Sequence, residues 1–287
     1  MTKDTVFSTK ITLNANGKIL DLSQPIVMGI LNITPDSFYE GSRISNHDEI
    51  LAKARQMLID GASILDIGGY SSRPGADDIT IQEEIDRVTG PIEAIASHYP
   101  NAIISIDTFR SEVVQAAVEA GAHIINDISG GTIDDKMFDT VAQLRVPYIM
   151  MHMKGTPQTM VQLNQYEDLV YDIMDFFTKR INKLKSLGVN DIILDPGFGF
   201  AKHIDQNFEL LRRLDEFKIL ELPLLIGVSR KSMIYKTLHI KPAEALNGTT
   251  VLNTISLNKG AHILRVHDVK EAMETIKLHK KIYPNEH

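Results

Sequence analysis

The sequence predicts an α/β fold, a (β/α)8 TIM barrel preceded by an N-terminal β-hairpin, on three observations. First, short β-branched runs recur and end on polar residues: Ile26-Val-Met-Gly-Ile-Leu-Asn32, Ile64-Leu-Asp66, Ile103-Ile-Ser-Ile-Asp107, Ile124-Ile-Asn-Asp127, Ile192-Ile-Leu-Asp195 and Ile263-Leu-Arg-Val-His267. Continuous apolar runs of this length suit strands buried on both faces, as in a parallel sheet. Second, eight strand candidates alternate with helical ones, and right-handed crossovers between parallel strands leave a closed barrel or an open doubly wound sheet. Third, the polar ends occur on nearly every strand. An open sheet concentrates its site at one switch point, whereas a barrel brings all eight strand ends to one mouth. No Gly-x-Gly-x-x-Gly follows the first strand. The 287 residues suit one barrel, a fold of about 250 residues. With no linker or low-complexity tract, residues 1–287 read as one domain, a hairpin at 6–22 and a barrel at 26–283.

The elements follow in order. Phe7–Leu13 and Lys18–Leu22 flank Asn16-Gly17, a strong hairpin turn signal. Strand 26–33 stops at Pro35, which cannot donate to a ladder. A helix follows at His47–Asp60, with Ile50, Leu51, Ala54, Met57 and Leu58 at helical spacing and Gly61 as its C-cap. Strand 64–67 and a long loop through Gly75 lead to helix 80–98, with Gly90-Pro91 marking a break in it. Strand 102–107, helix 111–120, strand 123–128, helix 134–144, strand 148–152 and helix 166–186 come next. Strand 191–195, helix 206–216, strand 223–228, a helical region over 230–258, strand 262–267 and helix 269–281 complete the alternation.

Composition excludes some functions. Cysteine is absent, so there is no disulfide framework, thiolate metal site or cysteine nucleophile. No apolar run reaches the roughly 18 residues of a membrane span, and Met1-Thr-Lys-Asp-Thr5 does not begin a signal peptide. These features point to a cytoplasmic location. The net charge of −7 argues against nucleic acid, which needs a basic face. It leaves an anionic substrate open, because local cations act through short distances and distant charges are screened beyond about 8 Å.

The candidate chemistry lies at the strand ends. A single Asp after a strand is commonly a cap or turn residue, but Asp66, Asp107, Asp127 and Asp195 on successive strands share one rim. Asp107 and Asp195 are the leading candidates, and Asp66 is read as pointing into the barrel to make structural hydrogen bonds. Asn32 and Asn126 suit a heterocycle edge or an oxygen-rich metal; a buried amide bonding backbone is as good a reading of Asn126, whereas Asn32 stands just before the Thr34-Pro-Asp-Ser37 loop and points more to a site. Ser229-Arg-Lys-Ser232 follows one strand, and Arg265 and His267 share a face of the last. Beside Lys231 they would form an anion site after strands 7 and 8, against the alternative of a solvated surface cluster. Arg73 could grip a carboxylate or phosphate bidentately, or belong to an ordinary exposed loop. His152 and His203 have no regular metal spacing and read as structural or rim residues.

Together these stretches closely resemble the dihydropteroate synthase family of pterin-binding TIM barrels. The segments are Met28-Gly-Ile-Leu-Asn-Ile-Thr-Pro-Asp-Ser-Phe38, Asp66-Ile-Gly-Gly-Tyr-Ser-Ser-Arg-Pro-Gly75, Ser105-Ile-Asp-Thr108, Ile125-Asn-Asp-Ile128, Met151-His-Met-Lys-Gly155, Asp195-Pro-Gly-Phe-Gly-Phe200, Gly227-Val-Ser-Arg-Lys-Ser232 and Arg265-Val-His-Asp-Val269, in family order. The resemblance implies that p-aminobenzoate replaces the diphosphate of (7,8-dihydropterin-6-yl)methyl diphosphate. It implies pterin contacts from Asp195, Asn126 and Lys231 with Asp107 close by, Mg2+ at Asn32, and diphosphate at Arg265 and His267. Phe200 and Val266 join the substrate-binding set. Loops holding Thr34, Asp36, Phe38, Ser72, Arg73 and Pro74 would close over diphosphate and p-aminobenzoate, with Ser232 near the benzoate carboxylate. Asp107, Asp195 and Lys231 would be the catalytic residues, in a homodimer.

Two departures stand out. The family's common Glu-Ser-Thr-Arg-Pro is Tyr70-Ser-Ser-Arg-Pro74 here, which keeps a hydroxyl and loses a methyl, and its common His-Met-Gln-Gly is His152-Met-Lys-Gly155. The rival readings are a methyltetrahydrofolate:corrinoid methyltransferase, which needs no diphosphate site, and a non-catalytic pterin-binding paralogue, which loss of Arg73, Lys231 or His267 would have supported.

Overall fold

The computed structural model describes residues 12–33, 43–71 and 78–284, with residues 43–47 described by backbone only. Its first unit is the hairpin β1 (Thr12–Ala15) and β2 (Lys18–Asp21). Asn16 and Gly17 both take positive φ, 51° and 85°, as a tight turn matched to strand twist requires. Of the expected first strand, residues 7–11 lie outside the described residues.

The barrel strands are β3 (Ile26–Asn32), β4 (Ile64–Gly68), β5 (Ile103–Asp107), β6 (Ile124–Asp127), β7 (Tyr148–Met151), β8 (Ile192–Asp195), β9 (Leu225–Ile226) and β10 (Ile263–Val266). The eight are parallel in the order β8-β7-β6-β5-β4-β3-β10-β9. A parallel bridge from Leu194 to Leu224 joins the two outer strands and closes the cylinder. The expected strand at 223–228 is therefore shorter, its entry serving as the closing seam.

Side-chain alternation sorts each strand into an outer and an inner face. Leu65, Ile67, Ile104, Ile106, Ile125, Leu194 and Leu264 face outward and join the main core beneath the helices. Met28, Ile64, Ile103, Ile124, Ile149, Ile193, Leu225 and Ile263 form one inward layer, and Leu13, Ala15, Leu20 and Leu22 of the hairpin pack against it. The hairpin thus plugs the amino-terminal end of the bore. Lys18 fastens it by donating to the carbonyls of Pro100 and Ala102, both at 2.7 Å.

The helices are α1 (Arg43–Asp60), α2 (Ile81–His98), α3 (Ser111–Glu119), α4 (Met137–Leu144), α5 (Leu169–Ser186), α6 (Ile204–Arg212), α7 (Ser232–Tyr235), α8 (Leu246–Asn258) and α9 (Val269–Ile282). Most bounds shift by a few residues, and three differences have identifiable reasons. α2 runs through Pro91 unbroken, because Val88, Pro91, Ile92 and Ile95 are buried on one face and that packing outweighs the missing amide. The 230–258 region divides into α7, a short 3-10 turn at Pro242–Glu244 and α8, since His239 takes φ 55° and Pro242 cannot continue the preceding turn. α4 begins at Met137 rather than 134, because Asp134 is used to cap its neighbours: it accepts from Ser111 N at 2.7 Å and Lys136 N at 2.9 Å.

Candidate active site

Two residues beyond the apolar layer, the inward faces of the strands become polar: Asp66, Ser105, Asn126, Asp195 and Arg265. One residue pair further, Asn32, Asp107 and His267 reach the rim. Arg265 organises this level. Its Nε donates to Asp66 Oδ2 at 2.6 Å and its Nη2 to Asp107 Oδ2 at 2.6 Å. Asn126 Nδ2 donates to the same Asp66 oxygen at 3.1 Å, which fixes the orientation of its amide. Among the described residues, Asp66 Oδ1 and Ser105 Oγ are buried without partners.

Asp195 faces Lys231 across the bore. Asp195 Oδ1 accepts from Gly197 N at 2.8 Å. Lys231 donates from Nζ to the carbonyl of Phe198, and the Phe200 ring centroid lies 4.8 Å from that nitrogen. A methyl on Gly227 would sit 3.8 Å from Lys231 Nζ and 3.9 Å from Arg265 Cβ, so the two cationic side chains border one space left open by glycine. A methyl on Gly68 would lie 3.7 Å from both Asn32 Oδ1 and Asp107 Oδ2. Ser229 Oγ accepts from the backbone N of His267 at 3.2 Å and pairs with His267 Nδ1 at 3.0 Å.

Three carboxylates therefore share a low-dielectric bore with Arg265 and Lys231, and each shift follows from that. Burial pushes Asp107 up to about 7, against the attraction of Arg265 and with help from the charge of Asp66. Burial raises Asp195 as well, opposed chiefly by Lys231. Lys231 falls to about 8 by desolvation, with Asp195 working the other way. Burial also works against the Arg265 charge, but Asp66 and Asp107 more than offset it and hold the guanidinium protonated. The arrangement is an electron-rich bore floor with cations on one side, able to hold a hydrogen-bonding heterocycle and to favour positive charge developing above it.

The structure brings Asn32, Asp107, Asn126, Asp195, Phe200, Lys231, Arg265 and His267 to one mouth, and Ser232 opens α7 beside Lys231. Thr34, Asp36, Phe38, Ser72, Arg73 and Pro74 lie outside the described residues. Two expectations need correction and a third is narrowed. Asp127 turns away from the bore, because its carboxylate accepts from Ser129 N, Ser129 Oγ, Gly131 N and Tyr148 Oη and builds the loop after β6. The Val266 side chain is buried outward beneath the helices, as the strand period dictates between inward Arg265 and His267. Arg265 is committed through Nε and Nη2 to Asp66 and Asp107, and only Nη1 has no hydrogen bond to the described residues. Asp66 takes the expected inward structural role, and His203 is a helix cap accepting from Gln206 N.

Sequence reading passed over Lys202. It is 9% exposed and its ammonium contacts Gly197 O, Phe200 O and His152 Nδ1. A lone lysine after a glycine-rich loop carries no periodic or spacing signal, so only coordinates reveal it. The cluster of Tyr70, Phe109 and Arg110 also went unread. The Tyr70 and Phe109 rings meet edge to face at 5.0 Å, Arg110 lies 5.2 Å from the Tyr70 centroid, and Tyr70 Oη accepts from Gln158 at 2.7 Å.

Comparison with known proteins gives consistent results. A family model described as "Pterin binding enzyme" matches residues 28–267. The chain is 42% identical over 268 residues to the dihydropteroate synthase of Escherichia coli, covering 93% of this chain and 94% of that one. It is 45% identical over 253 residues to that of a Synechocystis species, covering 87% of each. Among solved structures, a Yersinia pestis dihydropteroate synthase with a sulfonamide drug complex superposes at TM-score 0.89 and 42% identity, covering 96% of this chain and 100% of the other. A Xanthomonas albilineans dihydropteroate synthase with 4-aminobenzoic acid gives TM-score 0.88 at 36% identity, covering 96% and 98%.

Proposed function

The chain belongs to the pterin-binding enzyme family, among the dihydropteroate synthases, and from that premise we propose how its own residues perform the transfer. The substrates are (7,8-dihydropterin-6-yl)methyl diphosphate and p-aminobenzoate. The products are 7,8-dihydropteroate and diphosphate. Asn126, Asp195 and Lys231 hold the pterin edge in the polar layer of the bore. The exocyclic C–O bond breaks, and diphosphate leaves with the electron pair. The carbon left behind is cationic and conjugated with the ring. Asp195, which is buried, and the partly buried Asp107 stabilise that charge where little water screens it. The neutral aniline nitrogen then forms the C–N bond, and the proton it sheds passes to the released diphosphate or to solvent. That nitrogen needs positioning more than deprotonation.

His267 and the outer Nη1 of Arg265 face the departing diphosphate. Arg265 therefore serves both sides, holding Asp66 and Asp107 within the bore and meeting the anion with its remaining edge. Asn32 is the residue that would hold Mg2+. One neutral oxygen suits a cation that keeps its waters and takes substrate oxygens, and the described residues contain no cluster of three His, Cys, Asp or Glu fit for a metal. Bound there, the ion would offset charge on the leaving group. Thr34, Asp36, Ser72, Arg73 and Ser232 complete the p-aminobenzoate and diphosphate contacts in this reading.

The observation that carries the proposal is the convergence of Asp107, Asp195, Lys231 and Arg265 on one bore. Diphosphate release tests it, assayed with and without p-aminobenzoate and Mg2+. Sustained release that requires both p-aminobenzoate and Mg2+ is expected. Pterin binding with no release would make the chain a binder instead. We also place the enzyme in the cytoplasm as a homodimer. No helix among the described residues is long and apolar enough to cross a membrane, and Leu238, Val251 and Ile255 leave apolar surface exposed around α7 and α8. Light scattering giving a monomer mass would remove the dimer.

A further inference from the structure

The segment that carries Asp195 to the bore folds around a buried cation. Lys202 Nζ lies 2.9 Å from Gly197 O, 3.0 Å from Phe200 O and 3.1 Å from His152 Nδ1. His152 is 1% exposed, and its backbone N donates to Asp195 O at 2.9 Å. Gly197 takes φ 75°, and a Cβ there would come 2.0 Å from His152 O, so the turn is pressed against β7 with no room for a side chain. Asn207 holds the far side, accepting from Gly199 N at 2.6 Å and donating to Lys202 O at 3.2 Å. Between the two carbonyls tied to Lys202 stands Phe198, whose own carbonyl receives Lys231, and Phe200 then carries its ring beneath that ammonium.

We propose that Lys202 is a positioning residue for the pterin pocket: its ammonium gathers the carbonyls of Gly197 and Phe200 and thereby aims Asp195, Phe198 O and the Phe200 ring at Lys231. Three acceptors around one nitrogen match the three N–H groups of the ammonium form. An ammonium buried without partners would be costly, so the site stands only because all three are engaged. Burial lowers Lys202 to about 7, with Asp195 opposing and Lys231 and Lys154 adding to the fall. Burial likewise holds His152 neutral, with Lys202 and Lys154 reinforcing it, so that its Nδ1 accepts and its proton resides on Nε2. The inference rests on the reading that Asp195 and Lys231 grip the pterin.

Steady-state kinetics of Lys202→Met in the full chain provide the test, because methionine keeps the length and removes every N–H. The KM for pterin diphosphate rises about 10- to 100-fold, the cost of a misplaced pocket, while the KM for p-aminobenzoate stays within about threefold. A chain that is merely less stable would lose active fraction, lowering kcat with both KM values unchanged; that result would overturn the proposal. Nitrogen-15 spectra of the unaltered protein read the same contact independently of any variant. His152 protonated only at Nε2 and slowly exchanging Lys202 ammonium protons are expected. A proton on Nδ1, or Lys202 exchanging like a surface lysine, would contradict it even if Lys202→Met failed to fold. Absence of turnover in the unaltered protein would count against the reaction and leave the spectroscopic result standing.

Discussion

The lower and upper halves of the barrel bore are built from the same strands and do opposite things. Ile64, Ile103, Ile124, Ile193 and Ile263 fill the lower layer and meet the hairpin. Two residues on, the same strands present Asp66, Ser105, Asn126, Asp195 and Arg265. The apolar layer gains by leaving water, about 1.5–3 kcal/mol for each large side chain. The polar layer loses by it, as the shifts at Asp107, Asp195 and Lys231 record. Stability is concentrated below, and its cost is accepted above because desolvated charge is what the reaction uses.

The sharpest way to separate the halves is Lys231→Met. Its kcat/KM should fall about 10²- to 10³-fold, the scale of losing one oriented charged donor in a largely buried site, while thermal stability falls by less, because Asp195, left without its cation, takes up a proton rather than remain a buried charge. An equal fall in stability would mean that the two layers are not distinct. The counterpart below is Ile124→Ala. Denaturant unfolding should show a loss of about 2–5 kcal/mol from the cavity, with both KM values unchanged in the fraction that remains folded.

This division explains what was legible in advance. Both layers follow from a period of two along β-branched runs, so the barrel, its mouth and the convergence of Asp107, Asn126, Asp195 and Lys231 were readable from the residues together with the family resemblance. Asp127 was misplaced because a strand-end aspartate looks the same whether it faces in or out, and the difference lies in the Tyr148 hydroxyl 21 positions later. The dual engagement of Arg265 depends on Asp66, which is 199 residues away in the chain. Lys202 was invisible because its partners are two backbone carbonyls and a histidine on another strand. Patterns of residue type reveal which face a side chain takes; they do not reveal which charge it meets there.

A smaller effect should appear in the pH dependence of kcat/KM. The reaction needs Asp107 as a carboxylate, so activity rises as pH approaches about 7, and it needs Lys202 and Lys231 as ammonium groups, so activity falls as pH passes about 7 to 8. A narrow bell between those limbs is expected. Replacing Asp107 by Asn should remove its part of the acidic limb, leaving that of Asp195, and keep the basic one.

The central claim is that Asp107 acts on charge developing in the transition state and contributes little to holding the pterin. Asp107→Asn decides it when pterin affinity and diphosphate-releasing turnover are measured on the same preparation. The account predicts a Kd within about threefold of the unaltered protein and a kcat lower by about 100-fold, the signature of an interaction made only in the transition state. Turnover that is unchanged, or that falls only in proportion to lost binding, would contradict it.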